Sequence, residues 1–145
     1  MMRVALVNSR SGDIVASTTE LAVTRAARRR GLLRRDALDP ATALVLAPCL
    51  AIHTAFMRFA IDVVFVDREG CVRRIVRHLQ PWRVAASRHA CATIELAAGA
   101  LEACDITIGD RLYLGTNRCT VFDAGSLWHE SHLSREARPE RRGSH

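Results

Sequence analysis

The chain contains no lysine: all 21 of its basic residues are arginine, which reads as a compositional bias and not as a choice made site by site. It also lacks any apolar run near the ~18 residues of a membrane-crossing helix, so a transmembrane span is not expected. The first residues, MMRVALVNSRSG, hold too short an apolar stretch for a secretory signal, and the expected location is the cytoplasm. Five cysteines are present, but no two lie close enough to form a zinc-type or redox-type pair, so reduced, half-buried thiols are expected and no metal site or cofactor. Cys49, after Pro48 and before His53, is the best-placed thiol for a catalytic role. Nucleotide, hydrolase and metalloprotease signatures (GxGxxG, GxxxxGK[ST], GxSxG, HExxH) are all missing, which argues against a conventional enzyme. The seven aromatics give few platforms for stacking on bases.

What the chain does have is a net charge of +6 distributed in patches. Residues 21–40 carry +4 and residues 71–92 carry +5, whereas residues 93–123 carry −3. Patches of this kind make an anionic partner worth testing. Its 145 residues suit one domain, expected over 1–128, followed by a disordered basic tail over 129–145. His129 and His132, three apart in that tail, have a spacing that can chelate a metal on a helix, a reading given little weight there.

Short strands dominate the pattern. Residues 3–8 and IVAS (14–17) read as a hairpin turning at Gly12 and Asp13. Thr24 is placed to cap a helix over 25–30, with Gly31 at its end and Arg28, Arg29 and Arg30 against the negative end of its dipole. Residues 42–47 form the next strand. Val63–Val66 is an unbroken apolar run, expected to be covered on both faces. Residues 71–77 alternate and pair with it, Val72, Arg74 and Val76 facing one way. TIEL (93–96) is strand-like, residues 97–104 resemble a short helix entered through Gly99, and residues 105–114 read as a last β element. The fold class expected is α+β, mostly antiparallel β, a partly open barrel-like domain with one or two short helices.

Polar residues crowd the entrance to the apolar strand: His53, Thr54, Arg58 and Asp62. Asp62 shares a face with Val64 and Val66, so its carboxylate needs a partner. An arginine, either Arg58 or Arg35, together with backbone N–H groups of the preceding bend is expected in that role. Glu95 shares a face with Thr93, and convergence with Asp62 would suggest a metal or an acid pair. Asp67 and Asp110 are read as turn residues.

The order of motifs resembles a bacterial and archaeal family, the "domain of unknown function 192" proteins. The matching stretches are Gly31-Leu32-Leu33-Arg34-Arg35, Ile61-Asp62-Val63-Val64-Phe65-Val66-Asp67 with Gly70, Glu95-Leu96-Ala97-Ala98-Gly99, and Ile108-Gly109-Asp110. Leu33 replaces the usual methionine, Ala60 the usual proline, and Ile52-His53-Thr54-Ala55-Phe56-Met57 the common Phe-Trp-Met-Lys-Asn-Thr. The family has no agreed activity, so the resemblance implies a compact β-rich fold and a shared surface, and no reaction. Three functions are therefore carried forward. The first is a non-enzymatic domain binding a small ligand or protein partner at a lip formed by Arg35, His53, Arg58, Asp62 and Glu95. The second is a hydrolase-like enzyme using His53 and Asp62. The third, ranked last, is a nucleic-acid or anion binder using arginines of 25–35 and 73–88.

Overall fold

The computed structural model describes residues 4–33 and 35–115. Among them the order is β1 (Leu6–Asn8), β2 (Ile14–Ala16), β3 (Thr18–Ala22), α1 (Arg25–Arg30), β4 (Thr42–Leu46), β5 (Ala51–His53), β6 (Ile61–Val66), β7 (Val72–Leu79), β8 (Val84–Ala86), β9 (Ala92–Ala97) and β10 (Leu112–Leu114). They form a five-stranded sheet, β3-β4-β9-β6-β7, a three-stranded sheet, β10-β1-β2, and a two-stranded ribbon, β5-β8. The α+β, mostly antiparallel expectation holds, and no closed barrel forms among the described residues. The one parallel pair among them is β3 with β4. Its crossover carries α1, as parallel neighbours require a long return.

The helix begins and ends where its residues dictate. Thr24 is extended, and its hydroxyl accepts a hydrogen bond from Ala27 N at 3.0 Å. Gly31 has φ +43 and returns its N–H to Ala27 O, ending the helix. All six residues of β6 are buried, because β9 and β7 flank it and both of its faces are covered. Each such Val, Ile or Phe contributes roughly 1.5–3 kcal/mol relative to exposure. Val64 and Val66 join Leu6, Val15, Ile94, Leu96 and Leu112 between the two larger sheets. Ile61, Val63 and Phe65 pack on the other face with Leu44, Leu46, Ile52 and Met57, beneath α1 and the β5-β8 ribbon.

The alternation expected for β7 is broken twice. Val66 pairs Val72 and Phe65 pairs Arg74, so Arg73 is an inserted residue. Ile75 consequently packs in the same cluster as Val72, and Val76 in the opposite one. A second insertion lies between Val76 and Leu79, where His78 adopts φ +52. The helix expected over 97–104 is replaced by consecutive turns. Gly99 has φ +87, and Ala100 N, Glu102 N and Cys104 N each bond the carbonyl three residues back. Residues 105–110 likewise form a turn, and pairing with β1 starts only at Leu112. The tail over 129–145, with His129 and His132, lies outside the described residues.

Asp110 does more than shape a turn. Its carboxylate accepts from Thr107 N at 2.9 Å, Asn8 Nδ2 at 2.9 Å and Arg10 Nε at 2.6 Å. The Arg10 guanidinium holds this carboxyl well below the usual carboxylate range. A depressed folded pKa stabilises at pH above the ordinary value of 3.8 and stops doing so as pH falls below it. Asp110→Ala is therefore expected to lower unfolding free energy by about 2 kcal/mol at neutral pH. Chemical denaturation should show that deficit shrinking below about pH 4; a deficit constant with pH would refute the ionic origin.

Candidate functional site

On the α1 side of the five-stranded sheet the register sets Glu95 beside Leu44 of β4 and Val63 of β6. Strand alternation points Glu95 and Thr93 to this face, away from Ile94 and Leu96, and Thr93 Oγ1 fixes the β4–β5 connection by donating to Cys49 O at 3.1 Å. Between that surface, α1 and the segment 46–57 lies a cleft of about 420 Å³. Its walls include Leu46, Ile52 and Met57, and Arg25, Arg28, Arg30 and His53 also line it. Arg28 is anchored, donating to Val23 O at 2.9 Å and to Ala47 O at 3.3 Å, which ties the helix to the ends of β3 and β4. The Cys49 thiol lines the same cleft and donates to Ala51 O at 3.2 Å.

Glu95 is the unusual group here. It is only 5% exposed, and its Oε2 is buried without a hydrogen-bond partner. Burial pushes its carboxyl up to about 7, against a smaller opposing pull from the charge of Arg35. Arg35 is near enough to be felt but is bonded to Glu20 Oε2 at 2.7 Å. The result is a carboxyl poised near neutrality on a largely apolar surface, with cations around the opening.

The remaining expected residues go elsewhere. Asp62 is fully buried on the opposite face of the sheet, its side chain aligned with Val64 and Val66. No arginine among the described residues reaches it. Oδ1 accepts from His78 N at 2.9 Å, and Oδ2 accepts from Gly99 N and Leu101 N, both at 3.1 Å. The guanidinium expected among its partners is absent, and the backbone donors expected from the preceding bend come instead from the β7 insertion and the turns after β9. Arg58 pairs instead with Asp36 at the surface. Asp62 pairs across from Leu96 while Glu95 pairs across from Val63, so the two acids point to opposite faces and do not converge. His53, exposed on β5, is likewise separated from Asp62 by the sheet, and the acid–base pair expected of them does not form. Among the described residues no three His, Cys, Asp or Glu side chains cluster.

Two parts of this architecture have no legible signal in the sequence. The first is His78, whose left-handed backbone turns its N–H onto Asp62 while its ring bonds Glu102 at 3.0 Å. The second is the turn at Gly99–Leu101, in a stretch whose composition resembles a helix.

A family profile matches residues 6–114 and is described as DUF192, Uncharacterized ACR. The chain belongs to the DUF192 family. This agrees with the resemblance carried by its Gly31, Asp62, Glu95 and Asp110 stretches. The DUF192 chain is also similar to a crystal structure from Sinorhizobium meliloti described as a proposed transcription regulator. That match has 26% identity and a TM-score of 0.68, covering 77% of this chain and 92% of the other. A second crystal structure, a protein of unknown function from Novosphingobium aromaticivorans, has 21% identity and a TM-score of 0.64. It is matched over 75% of this chain and 81% of its own, and supports the fold alone. No curated protein matches. No helix among the described residues is long and apolar enough to cross a membrane.

Proposed function

We propose that the DUF192 chain binds a small amphipathic molecule in the cleft above Glu95. The observation that carries this reading is the partnerless Oε2 of Glu95 in a cleft of about 420 Å³. A buried acceptor with nothing to accept from is costly, and a ligand hydroxyl or amine would satisfy it. Leu46, Ile52 and Met57 suit an apolar body of the ligand, while Arg25, Arg30 and His53 suit an anionic end at the opening. Arg35 acts through its charge on Glu95. Arg58 and Asp62, bonded elsewhere, support the fold around the site and do not touch the ligand.

A series of ω-hydroxy carboxylates of increasing chain length has this layout of donor, apolar body and anion. Titration calorimetry should show binding that depends on chain length and is tighter above the raised Glu95 pKa of about 7 than below it, because Glu95 accepts best when ionised. Glu95→Leu is expected to abolish it while leaving the fold intact by circular dichroism. Equal heats for wild type and Glu95→Leu across the series would defeat the reading.

A further inference from the structure

The β5-β8 ribbon lines the cleft through β5, but the loops beside it carry Phe56 and Trp82, which are not among the cleft's lining residues. Phe56 and Trp82 are 73% and 60% exposed, and their rings meet edge to face with centroids 4.6 Å apart. Both residues sit in the left-handed backbone region, at φ +65 and +63. Bulky residues rarely adopt that conformation, and it persists only where the surroundings enforce it. Here the enforcing group is Thr54, which is fully buried. Its N–H donates to Arg83 O at 2.8 Å, and its carbonyl accepts from Trp82 N at 3.0 Å. Its hydroxyl accepts from Arg83 N at 2.9 Å and donates to Gln80 O at 2.6 Å. Two loops are thus fastened together, and two large aromatic side chains are held out in water.

The charge around this pair has one sign. Residues 71–92 contain five arginines and no acid, and residues 40–61 contain no acid at all. Arg83 follows Trp82 directly, and Arg74 reaches across to Ala86 O on β8 at 2.6 Å. Both bond only backbone carbonyls and pair with no carboxylate among the described residues. A rigid aromatic platform followed directly by Arg83, with Arg74 held at the other end of β8, suits a polyanion whose units have flat π-faces, because bases stack on the rings while arginines meet the phosphates along the strand. We infer that this ribbon binds single-stranded nucleic acid, without sequence preference, through Phe56, Trp82, Arg74 and Arg83. Aromatics are scarce in the sequence, and hydrophobicity alone would bury them in core strands. Phe65 is indeed buried, but Phe56 and Trp82 are not.

The test is fluorescence anisotropy of labelled fifteen-nucleotide oligo-dT and oligo-U with the full chain, against a duplex of equal length. The single strands should bind and the duplex bind less well. Trp82→Gly removes the ring at a position whose backbone glycine adopts freely, so the variant should fold at least as well as wild type. It should weaken single-strand binding roughly ten-fold or more, since stacking of one base accounts for about 5–150-fold. Arg74→Gln with Arg83→Gln should also weaken binding and lower the salt slope by roughly 0.7 for each phosphate left without its guanidinium, whereas Trp82→Phe should bind nearly as wild type. Undiminished affinity in Trp82→Gly, a preference for the duplex, or no binding by wild type would each overturn the inference. So would retention on phosphatidylserine vesicles that Trp82→Gly abolishes in a protein that ignores the oligonucleotides.

Discussion

Asp62→Ala is expected to lower unfolding free energy by about 3–5 kcal/mol, the largest effect of any single truncation of a polar side chain among the described residues. The carboxylate accepts three backbone N–H groups, from His78, Gly99 and Leu101, at a fully buried position. Removing it leaves those donors without partners, each at a penalty of roughly 1–3 kcal/mol before relaxation. It also frees the turn after β9 from the insertion in β7. Melting temperature should fall by more than about 10 °C, given a few degrees per kcal/mol for a domain of this size. Asp62→Asn keeps one acceptor oxygen but turns an NH₂ toward a backbone donor, so its stability should fall between wild type and Asp62→Ala. The control is Asp36→Ala, whose carboxylate is exposed beside Arg58 and should matter by less than about 1 kcal/mol. Equal melting temperatures for the Asp62 and Asp36 variants would show that the three donors find other partners.

The second large effect concerns Glu95 and pH. Its folded-state carboxyl is raised from an ordinary 4.5 to about 7 by burial. Below about pH 4.5 the group is protonated in both folded and unfolded chains and pH has no influence through it. As pH rises toward 7, the unfolded chain releases the proton and the folded chain keeps it, so stability falls; above about 7 the penalty is complete. A shift of this size corresponds to about 3 kcal/mol. Glu95→Gln, which has no proton to lose, should therefore gain on wild type by about 3 kcal/mol between about pH 4 and about pH 8, read from urea midpoints along the pH series. Arg35→Gln should enlarge the difference, because the charge it removes opposes the shift. Parallel pH profiles for wild type and Glu95→Gln would mean that Glu95 is ionised at no unusual penalty, and the proposed ligand would lose its main reason to bind.

Much of this architecture is legible because local chemistry decides it. Thr24 and Gly31 bracket a six-residue helix. The run at Val63–Val66 lacks any polar residue and is covered on both sides. The need of Asp62 for a partner is equally readable, since it shares a face with Val64 and Val66. The identity of that partner is not. An arginine and the backbone of the preceding bend are the candidates from the sequence, yet the donors are main-chain groups on two other segments, one sixteen and one nearly forty residues away. Backbone donors carry no sequence signature, and the two insertions in β7 that aim one of them depend on tertiary pairing. The alternation in TIEL correctly puts Glu95 with Thr93, but only the sheet order can tell which layer that face meets. Phe56 and Trp82 are obscured for a related reason: hydrophobicity predicts burial, and the local conformation that turns them outward arises from the bonds of Thr54 to the other loop.

The position of β1 has a further consequence, for biosynthesis. β1 lies between β2 and β10, pairing Leu6 with Leu114 across nearly the whole described chain. While the polypeptide is still emerging from the ribosome, the β1–β2 hairpin must wait with one row of amides and carbonyls open until β10 arrives. Closure between such remote segments is slow, and during that interval the nascent chain depends on the hairpin's brevity, three residues a side, to avoid adding a strand from a neighbour.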